Sequence, residues 1–174
     1  MAQHDPISNI GHNVTPTATW VFSSVDRILA FGLGSGLLRP APGTWGTAMG
    51  WLLWELFLAR LSDAWVALVL ALAFVLGCWV CQRCGRALGR PDDGGMVWDE
   101  IVAFWLVLWL SPGAFWAQCL AFVVFRGFDI VKPPPINYLD RRLKNGFGVM
   151  LDDVVAAVYS LLVIAVIVRL GGWG

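Results

Sequence analysis

The sequence has few charged residues and almost no histidine. Only 14% of its 174 residues are charged, whereas 58% are hydrophobic, which is a far larger apolar share than a soluble domain carries. The two histidines, His4 and His12, both lie near the start of the chain, which disfavours catalysis by histidine in the rest of the protein. The net charge of zero gives no indication of a nucleic-acid surface. A membrane protein is therefore expected, and eleven tryptophans strengthen that expectation because Trp favours bilayer interfaces.

The start of the chain lacks the pattern of a signal peptide. Residues 1–20 are polar, without the cationic and apolar segments that such a peptide needs. We predict that residues 1–22 form a mobile tail and that residues 23–174 form a single membrane-embedded domain.

Cysteine gives no clear metal signature. Cys78, Cys81 and Cys84 lie in CWVCQRC, at the end of an apolar run and without a second ligand cluster. CxxC spacing can mark a zinc site, but small apolar side chains on one helix face are the favoured interpretation here.

Apolar runs predict an all-α, polytopic membrane protein with about five transmembrane helices. The first, second and fifth spans are expected at residues 44–59, 64–81 and 153–168. The third and fourth share residues 101–125, as a short hairpin broken by Ser-Pro-Gly at 111–113, a typical turn sequence. The alternative is one long span over the same residues. Before the first span, SSVDRILAFGLGSGLL predicts either an interfacial amphipathic helix or a plain apolar lead-in.

The distribution of cations favours the hairpin. A single long span would divide the cations between the two membrane faces, whereas the hairpin leaves only Arg60 and Arg169 on the far face. By the positive-inside rule, the face with most cations is cytoplasmic. The cations on that face are Arg27, Arg39, Arg83, Arg86, Arg90, Arg126, Lys132, Arg141, Arg142 and Lys144.

Helix starts of two kinds are expected at this cytoplasmic face: one offers free backbone N–H groups, and the others carry carboxylates. In GLGSGLLRPAPGTWGT, Thr44 is expected to cap the first span, where backbone N–H groups suit a phosphate oxygen; a purely structural loop is the alternative. Asp99 and Glu100 open the third span, and Asp152 and Asp153 are expected to open the fifth. Carboxylates at helix starts also complement the helix dipole, so these four acids have a structural explanation too.

Asp129, in FRGFDIVKPPPI, has no such explanation. It lies near the end of the fourth span, where the helix dipole disfavours an anion. Arg126 and Lys132, three residues to either side, can pair with it, but charges at membrane depth are costly and usually functional. Carboxylates suit Mg²⁺ and the two cations suit phosphate. These residues together indicate a metal-dependent membrane enzyme acting on the phosphate of a lipid head group.

Four segments resemble the phosphatidylglycerophosphatase A family of bacterial lipid phosphatases. They are GSGLLRPAPGTWGT, VWDEIVAFW, FRGFDIVKPPPI and GFGVMLDDVVAAV, and the resemblance covers roughly residues 25–170. It implies Mg²⁺-dependent hydrolysis of phosphatidylglycerophosphate to phosphatidylglycerol and phosphate in the bacterial inner membrane, with membrane lipids as partners. Ala103 and Asn145 occupy positions at which glycine is common in the family. The positions carried over are Asp99, Glu100, Asp129, Asp152, Asp153, Arg126, Lys132, Pro42, Gly43, Thr44 and Gly46.

We expect Arg126, Lys132 and the first loop to hold phosphate, and Asp99 to orient the attacking water. An aspartyl-phosphate route is an alternative, although the D-x-D motif often linked with it is missing. An ion or anion transporter that uses the same charges is the alternative function, disfavoured because the charges gather at one surface and no internal repeat is evident. The residues expected to supply metal ligands are Asp129, Glu100, Asp152 and Asp153.

Overall fold

The computed structural model describes residues 14–171, apart from the side chains of residues 139–141. Within the described range there is no strand, in agreement with the all-α prediction. Residues 1–13 of the predicted tail lie outside the described residues, and its remaining part includes helix α1, whose Val21 is buried. The elements are α1 (Ala18–Val21), α2 (Val25–Ala30), a 3-10 helix (Gly32–Leu37), α3 (Pro42–Leu53), a π-helical turn (Trp54–Leu58), α4 (Asp63–Leu88), α5 (Trp98–Leu110), α6 (Phe115–Val131), α7 (Ile136–Arg142) and α8 (Gly146–Leu170).

Two helices are long and apolar enough to cross a membrane. They are α4, with 26 residues, and α8, with 25, and they contain the predicted second and fifth spans. At 1.5 Å per residue, each extends beyond the roughly 30 Å of a bilayer's hydrocarbon core. Length and composition therefore support two of the five predicted spans.

The break in the predicted hairpin lies where the sequence placed it. Helix α5 ends at Leu110, Ser111 has extended backbone angles (φ −101°, ψ 159°), and α6 begins at Phe115. Ser-Pro-Gly thus separates two helices, and a single continuous helix over residues 101–125 is wrong.

Two predicted helix starts are wrong. Helix α3 begins at Pro42 with Ala41 as its N-cap, so Thr44 lies inside the first turn and does not cap it. Proline suits the first helical position because its φ is preset and its missing N–H is not needed there. Helix α8 begins at Gly146 because the Asn145 side-chain oxygen accepts a hydrogen bond of 2.8 Å from the Gly148 N–H. The aspartates predicted to open this helix therefore lie beyond its first turn, where the dipole explains them less well.

The segment predicted as one amphipathic helix forms two short elements. Helix α2 stops at Ala30, and Leu33 (φ 58°) and Gly34 (φ 96°) take left-handed backbone angles within the 3-10 helix that follows. Ser24 occupies the N-cap of α2, but its hydroxyl donates to the Asp26 carboxylate. A continuous helix over residues 23–38 is therefore wrong, and the interfacial location of this segment stays a prediction.

Helix α8 lies at the centre of the bundle, packed against α4, α5, α6 and α7. Its buried residues include Met150, Ala156 and Ile164. The predicted apolar role of the cysteines on α4 is confirmed, since Cys81 and Cys84 are fully buried in the core.

Helices α3 and α5 approach closely through a glycine seam, Gly43, Gly46 and Gly50. A Cβ on Gly46 would lie 2.4 Å from Val97 Cβ, and one on Gly50 would lie 3.2 Å from the backbone of Ile101. Trp105 reinforces the contact by donating its indole N–H to the Gly50 carbonyl at 2.8 Å. The seam brings the first turns of α3 and α5 together.

The opposite end of these helices carries a second polar region. Trp51 donates its indole N–H to Gln118 Oε1 at 2.8 Å, and Gln118 Nε2 donates to Glu55 Oε1 at 2.8 Å. Trp109 donates to Asp63 Oδ1 at 3.0 Å. A cavity of about 310 Å³ lies among these groups.

Candidate active site

Arg126 joins three helices at the charged end of the bundle. Its Nη1 lies 3.0 Å from Glu100 Oε1 on α5 and 2.5 Å from Asp129 Oδ2 on its own helix α6. The same nitrogen lies 3.5 Å from Thr47 Oγ1 on α3. Its side chain is only 12% exposed. The guanidinium is thus fixed between carboxylates in a largely dehydrated setting, where charge-assisted hydrogen bonds are strong.

Lys132 connects α6 to α8. Its Nζ lies 2.7 Å from Asp152 Oδ2. Its backbone has φ 44° and ψ 61°, and its N–H donates to the Phe128 carbonyl at 2.9 Å, closing the helix. A left-handed conformation is unfavourable for lysine and persists only where surrounding contacts fix it. Here Tyr159 of α8 donates its hydroxyl to the Pro134 carbonyl at 3.1 Å, which holds the following prolines against α8.

Two buried carboxylates, Asp99 and Asp153, complete the cluster. Asp99 Oδ1 accepts the Glu100 N–H at 3.0 Å, which orients that carboxylate. Asp153 lies within electrostatic range of Asp129, Asp99, Asp152 and Glu100. Solvent-exposed Asp92, which the sequence analysis did not select, lies within range of Asp99 and Glu100. The five carboxylates predicted for the site are therefore brought together, as are both predicted cations.

The cluster is unbalanced in charge. Five carboxylates accompany two cations, an excess of three negative charges when every acid is ionised. Among the described residues, Glu100 Oε2, Asp153 Oδ2 and Arg126 Nε are buried without a hydrogen-bond partner. Buried polar atoms normally have partners, and exceptions at this density point to an additional group.

Gly43 is the residue of the first loop that borders the charged cluster. A Cβ there would lie 2.2 Å from Glu100 Oε1 and 2.6 Å from Arg126 Nη2, so any larger residue would displace the Glu100–Arg126 ion pair. Gly46 instead packs on Val97, and Thr44 lies partly exposed in the first turn of α3. The predicted phosphate-binding loop thus contributes one backbone position to the cluster in this conformation.

Thr47 is a site residue that the sequence analysis missed. It is fully buried, its hydroxyl donates to the Gly43 carbonyl at 2.9 Å, and the same oxygen lies 3.5 Å from Arg126 Nη1. The helical period could have indicated it. Residues four apart share a helix face, so Thr47 lies on the same face of α3 as Gly43. Thr44 was selected because the helix was expected to start there.

The carboxylates fit a metal ion that needs further ligands. No group of three or more His, Cys, Asp or Glu side chains in the described part of the chain forms a ready-made metal-binding set. Magnesium, however, is usually held by one or two carboxylates together with phosphate oxygens and water. The unpartnered oxygens of Glu100 and Asp153 are suited to that role.

Comparison with known proteins identifies the family. The family described as Phosphatidylglycerophosphatase A matches residues 28–168. A Haemophilus influenzae protein named phosphatidylglycerophosphatase A is 47% identical over 139 residues, covering 79% of this chain and 85% of its own. The Escherichia coli protein of the same name is 38% identical over 135 residues, covering 77% and 78%.

A third relative carries a different name. A Bacteroides thetaiotaomicron protein, provisionally named phosphatidylinositol-3-phosphatase, is 35% identical over 146 residues, covering 80% of this chain and 91% of its own. No solved structure matches the chain. The family match and the two relatives that share its name agree with the four segments and with the charged cluster they form: the chain belongs to the phosphatidylglycerophosphatase A family.

Proposed function

We propose that the protein hydrolyses the terminal phosphomonoester of phosphatidylglycerophosphate, releasing phosphate and leaving phosphatidylglycerol. Family membership supports this reaction. The observation that carries it is the cluster at one end of the bundle, where Arg126 and Lys132 lie among five acids. Cations bind a phosphate, and acids can bind a metal or accept a proton.

The proposed setting is the bacterial inner membrane, with the charged cluster on the cytoplasmic side. Helices α4 and α8 are long enough to cross. Helix α6 has 17 residues, about the lower limit for a span, and α5, with 13 residues, needs flanking residues or local thinning of the bilayer to cross. The predicted topology puts more Lys and Arg residues at the charged end than at the far end, which supports cytoplasmic placement of the charged end by the positive-inside rule.

We further propose that the enzyme depends on Mg²⁺. Glu100 and Asp153 would hold the ion through their unpartnered oxygens, with Asp129 and Asp152 as neighbouring acids. When bound, Mg²⁺ polarises the phosphomonoester and neutralises negative charge on the transferred group.

The cations of the chain position the substrate phosphate. Arg126 is held by Glu100 and Asp129, and its buried Nε is a donor available to a phosphate oxygen. Lys132 reaches a phosphate by exchanging part of its contact with Asp152 for one with the substrate. Two cations that contact one anion restrict its orientation, which lowers the entropic part of the barrier.

The proton of the attacking water passes to a carboxylate. Asp99 is the proposed acceptor because the Glu100 N–H fixes its orientation. The water oxygen bonds to phosphorus as the ester P–O bond breaks, and the departing alkoxide takes up a proton, from Asp99 or from solvent, and leaves as the lipid alcohol. General-base assistance of this kind contributes about 10²- to 10⁴-fold to a rate. In the alternative route an aspartate attacks phosphorus first, and rapid quenching during turnover of ³²P-labelled substrate would then show radioactive phosphate bound covalently to the protein.

The test is phosphate release from purified full-length protein. Phosphatidylglycerophosphate is compared with phosphatidic acid and phosphatidylinositol 3-phosphate, each with Mg²⁺ and with chelator. We expect phosphatidylglycerophosphate to be the best substrate and chelation to abolish release. Preference for the phosphoinositide would support the reaction class but contradict the proposed substrate, and undiminished activity in chelator would contradict the metal. Ion flux in proteoliposomes without phosphate release would favour the transporter alternative.

A further inference from the structure

An apolar groove runs along the outside of α6 and α8, beside the charged cluster. Its volume is about 330 Å³. The residues that line it are Val124, Gly127, Phe128, Val131, Pro133 and Val163. The Phe128 ring, 5.6 Å from the Tyr159 ring, packs between the two helices.

The lack of a side chain at Gly127 leaves space in this groove, and no packing contact within the protein explains that space. Glycine inside a helix costs about 0.5–1 kcal/mol relative to alanine. At Gly46 and Gly50 that cost has a packing reason, since a Cβ there would meet α5. At Gly127 a Cβ would meet nothing within 4 Å, and the backbone there is ordinary helix. The absent side chain therefore enlarges the groove without serving any packing contact.

The groove ends next to Lys132 in the chain. Pro133 follows Lys132 in the chain, and Phe128 precedes Asp129. From Lys132 to Val124, α6 extends about 12 Å at 1.5 Å per residue. A molecule with a phosphate at the Lys132 amine and a long apolar chain thus has an apolar surface for its chain that begins one residue from Lys132.

A second apolar groove differs in this respect. It has a volume of about 210 Å³ and lies between α4, α5 and α8, among Leu70, Ala71, Phe74, Val102, Leu106 and Val154. None of these residues neighbours Lys132 or Arg126 in the chain, and the one that follows a member of the charged cluster, Val154, follows an acid, Asp153. It provides a matched control surface.

We propose that the groove along α6 and α8 binds an acyl chain of the phospholipid substrate, with Gly127 setting the room available to that chain. The inference rests on the proposed function and adds to it a specificity determinant. The apolar residues that line the groove contact the acyl chain. Lys132, next to the end of the groove, attracts the anionic head group. Chain binding in a fixed groove would set the depth at which the phosphate is presented to Arg126.

The test fills the groove without touching the charged cluster. Full-length Gly127→Leu is compared with wild type on long-chain phosphatidylglycerophosphate and on the deacylated, water-soluble glycerophosphoglycerophosphate. The ratio of kcat/KM for the long-chain to the deacylated substrate should fall about ten-fold, as expected for altered fit of an apolar group. Ala71→Leu, in the control groove, should leave the ratio unchanged. An unchanged ratio in Gly127→Leu would overturn the proposal.

A second measurement does not depend on turnover or on the variant's folding. A phospholipid with a phosphomonoester head group and a photoactivatable acyl chain is irradiated with wild-type protein, and labelled peptides are mapped. Labelling centred on residues 124–133 and Val163 supports the groove, whereas labelling spread evenly over the apolar surface overturns it. If wild type releases phosphate from no lipid, the proposed function is contradicted, and this mapping alone decides the groove.

Discussion

The two ends of the helical bundle are both polar and both contain acids, but at the charged end the acids contact two cations, Arg126 and Lys132. At the far end, Trp51, Gln118 and Glu55 form a chain in which each donor has an acceptor. The Ser111 hydroxyl in the same region has no hydrogen-bond partner within the described part of the chain, but it is neutral. At the charged end, buried atoms of Glu100 and Asp153 have no hydrogen-bond partner among the described residues. Neutral donors can satisfy a carboxylate at little cost, whereas an excess of buried acids requires protons or a bound cation.

The far-end cavity also differs in the ligands it suits. Glu55, Asp63 and Gln118 line it, and none of its lining residues is Lys or Arg. An anionic head group in this cavity would meet two acids and no cation among the lining residues. A polar cavity in an apolar protein is therefore not by itself evidence of a phosphate site. The charged end is distinguished from the far end by cations that lie among an excess of acids.

Removal of one charge at each end tests this difference most strongly. Asp153→Asn should lower phosphate release by about 10²-fold or more, because it removes an unpartnered carboxylate oxygen from the site. The variant should stay folded, and its melting temperature should be equal or higher, since a buried acid among like charges destabilises the fold. Phosphate release and thermal unfolding are measured together. The matched change Glu55→Gln should keep nearly full activity; equal losses in both variants would break the comparison.

A smaller effect is expected for the contact that positions Arg126. Thr47→Val keeps the volume but removes the hydroxyl that donates to the Gly43 carbonyl and approaches the guanidinium. A lost hydrogen bond at a charged group corresponds to about a ten-fold decrease in kcat/KM. Thr47→Ser should recover most of the activity, because it restores the hydroxyl. If Ser and Val variants were equally impaired, Thr47 would matter for packing and not for positioning Arg126.

The smallest expected effect concerns a paired acid outside the cluster. Burial raises the pKa of Asp26, but the Ser24 hydroxyl and the Arg83 guanidinium outweigh it and hold that pKa below its ordinary value of 3.8. The pair therefore stabilises the fold at neutral pH, and its contribution is lost as pH falls through the lowered pKa. Because Arg83 is 63% exposed, the contribution should be below about 1 kcal/mol. Urea unfolding of Asp26→Asn should show the difference from wild type at pH 7 shrinking toward pH 3; a constant difference would mean that charge is not its cause.

The all-helical fold and the helix break at Ser-Pro-Gly followed from the sequence, because apolar runs and turn residues are local signals. The five predicted acids and two predicted cations lie near one another because the helix ends that carry them meet at one end of the bundle. Helix starts were less predictable. Asn145 begins α8 earlier than the apolar pattern indicates, and Pro42 does the same for α3. Leu33 takes a left-handed conformation that its own propensity disfavours, so only tertiary contacts explain the split of the amphipathic segment. Thr47 was missed because its role depends on the place where Arg126 lies on another helix.

The close approach of α3 and α5 has a consequence for the entropy of binding. On that side the cluster is bounded by Gly43, where a side chain would collide with Glu100 and Arg126. A boundary made of backbone has no rotamers to lose when a ligand arrives, whereas an amine such as Lys132 gives up side-chain freedom. The side-chain entropy lost when a phosphate group binds therefore comes mainly from residues on the α6–α8 side of the cluster. That side is where changes in sequence should tune affinity without disturbing the shape of the site.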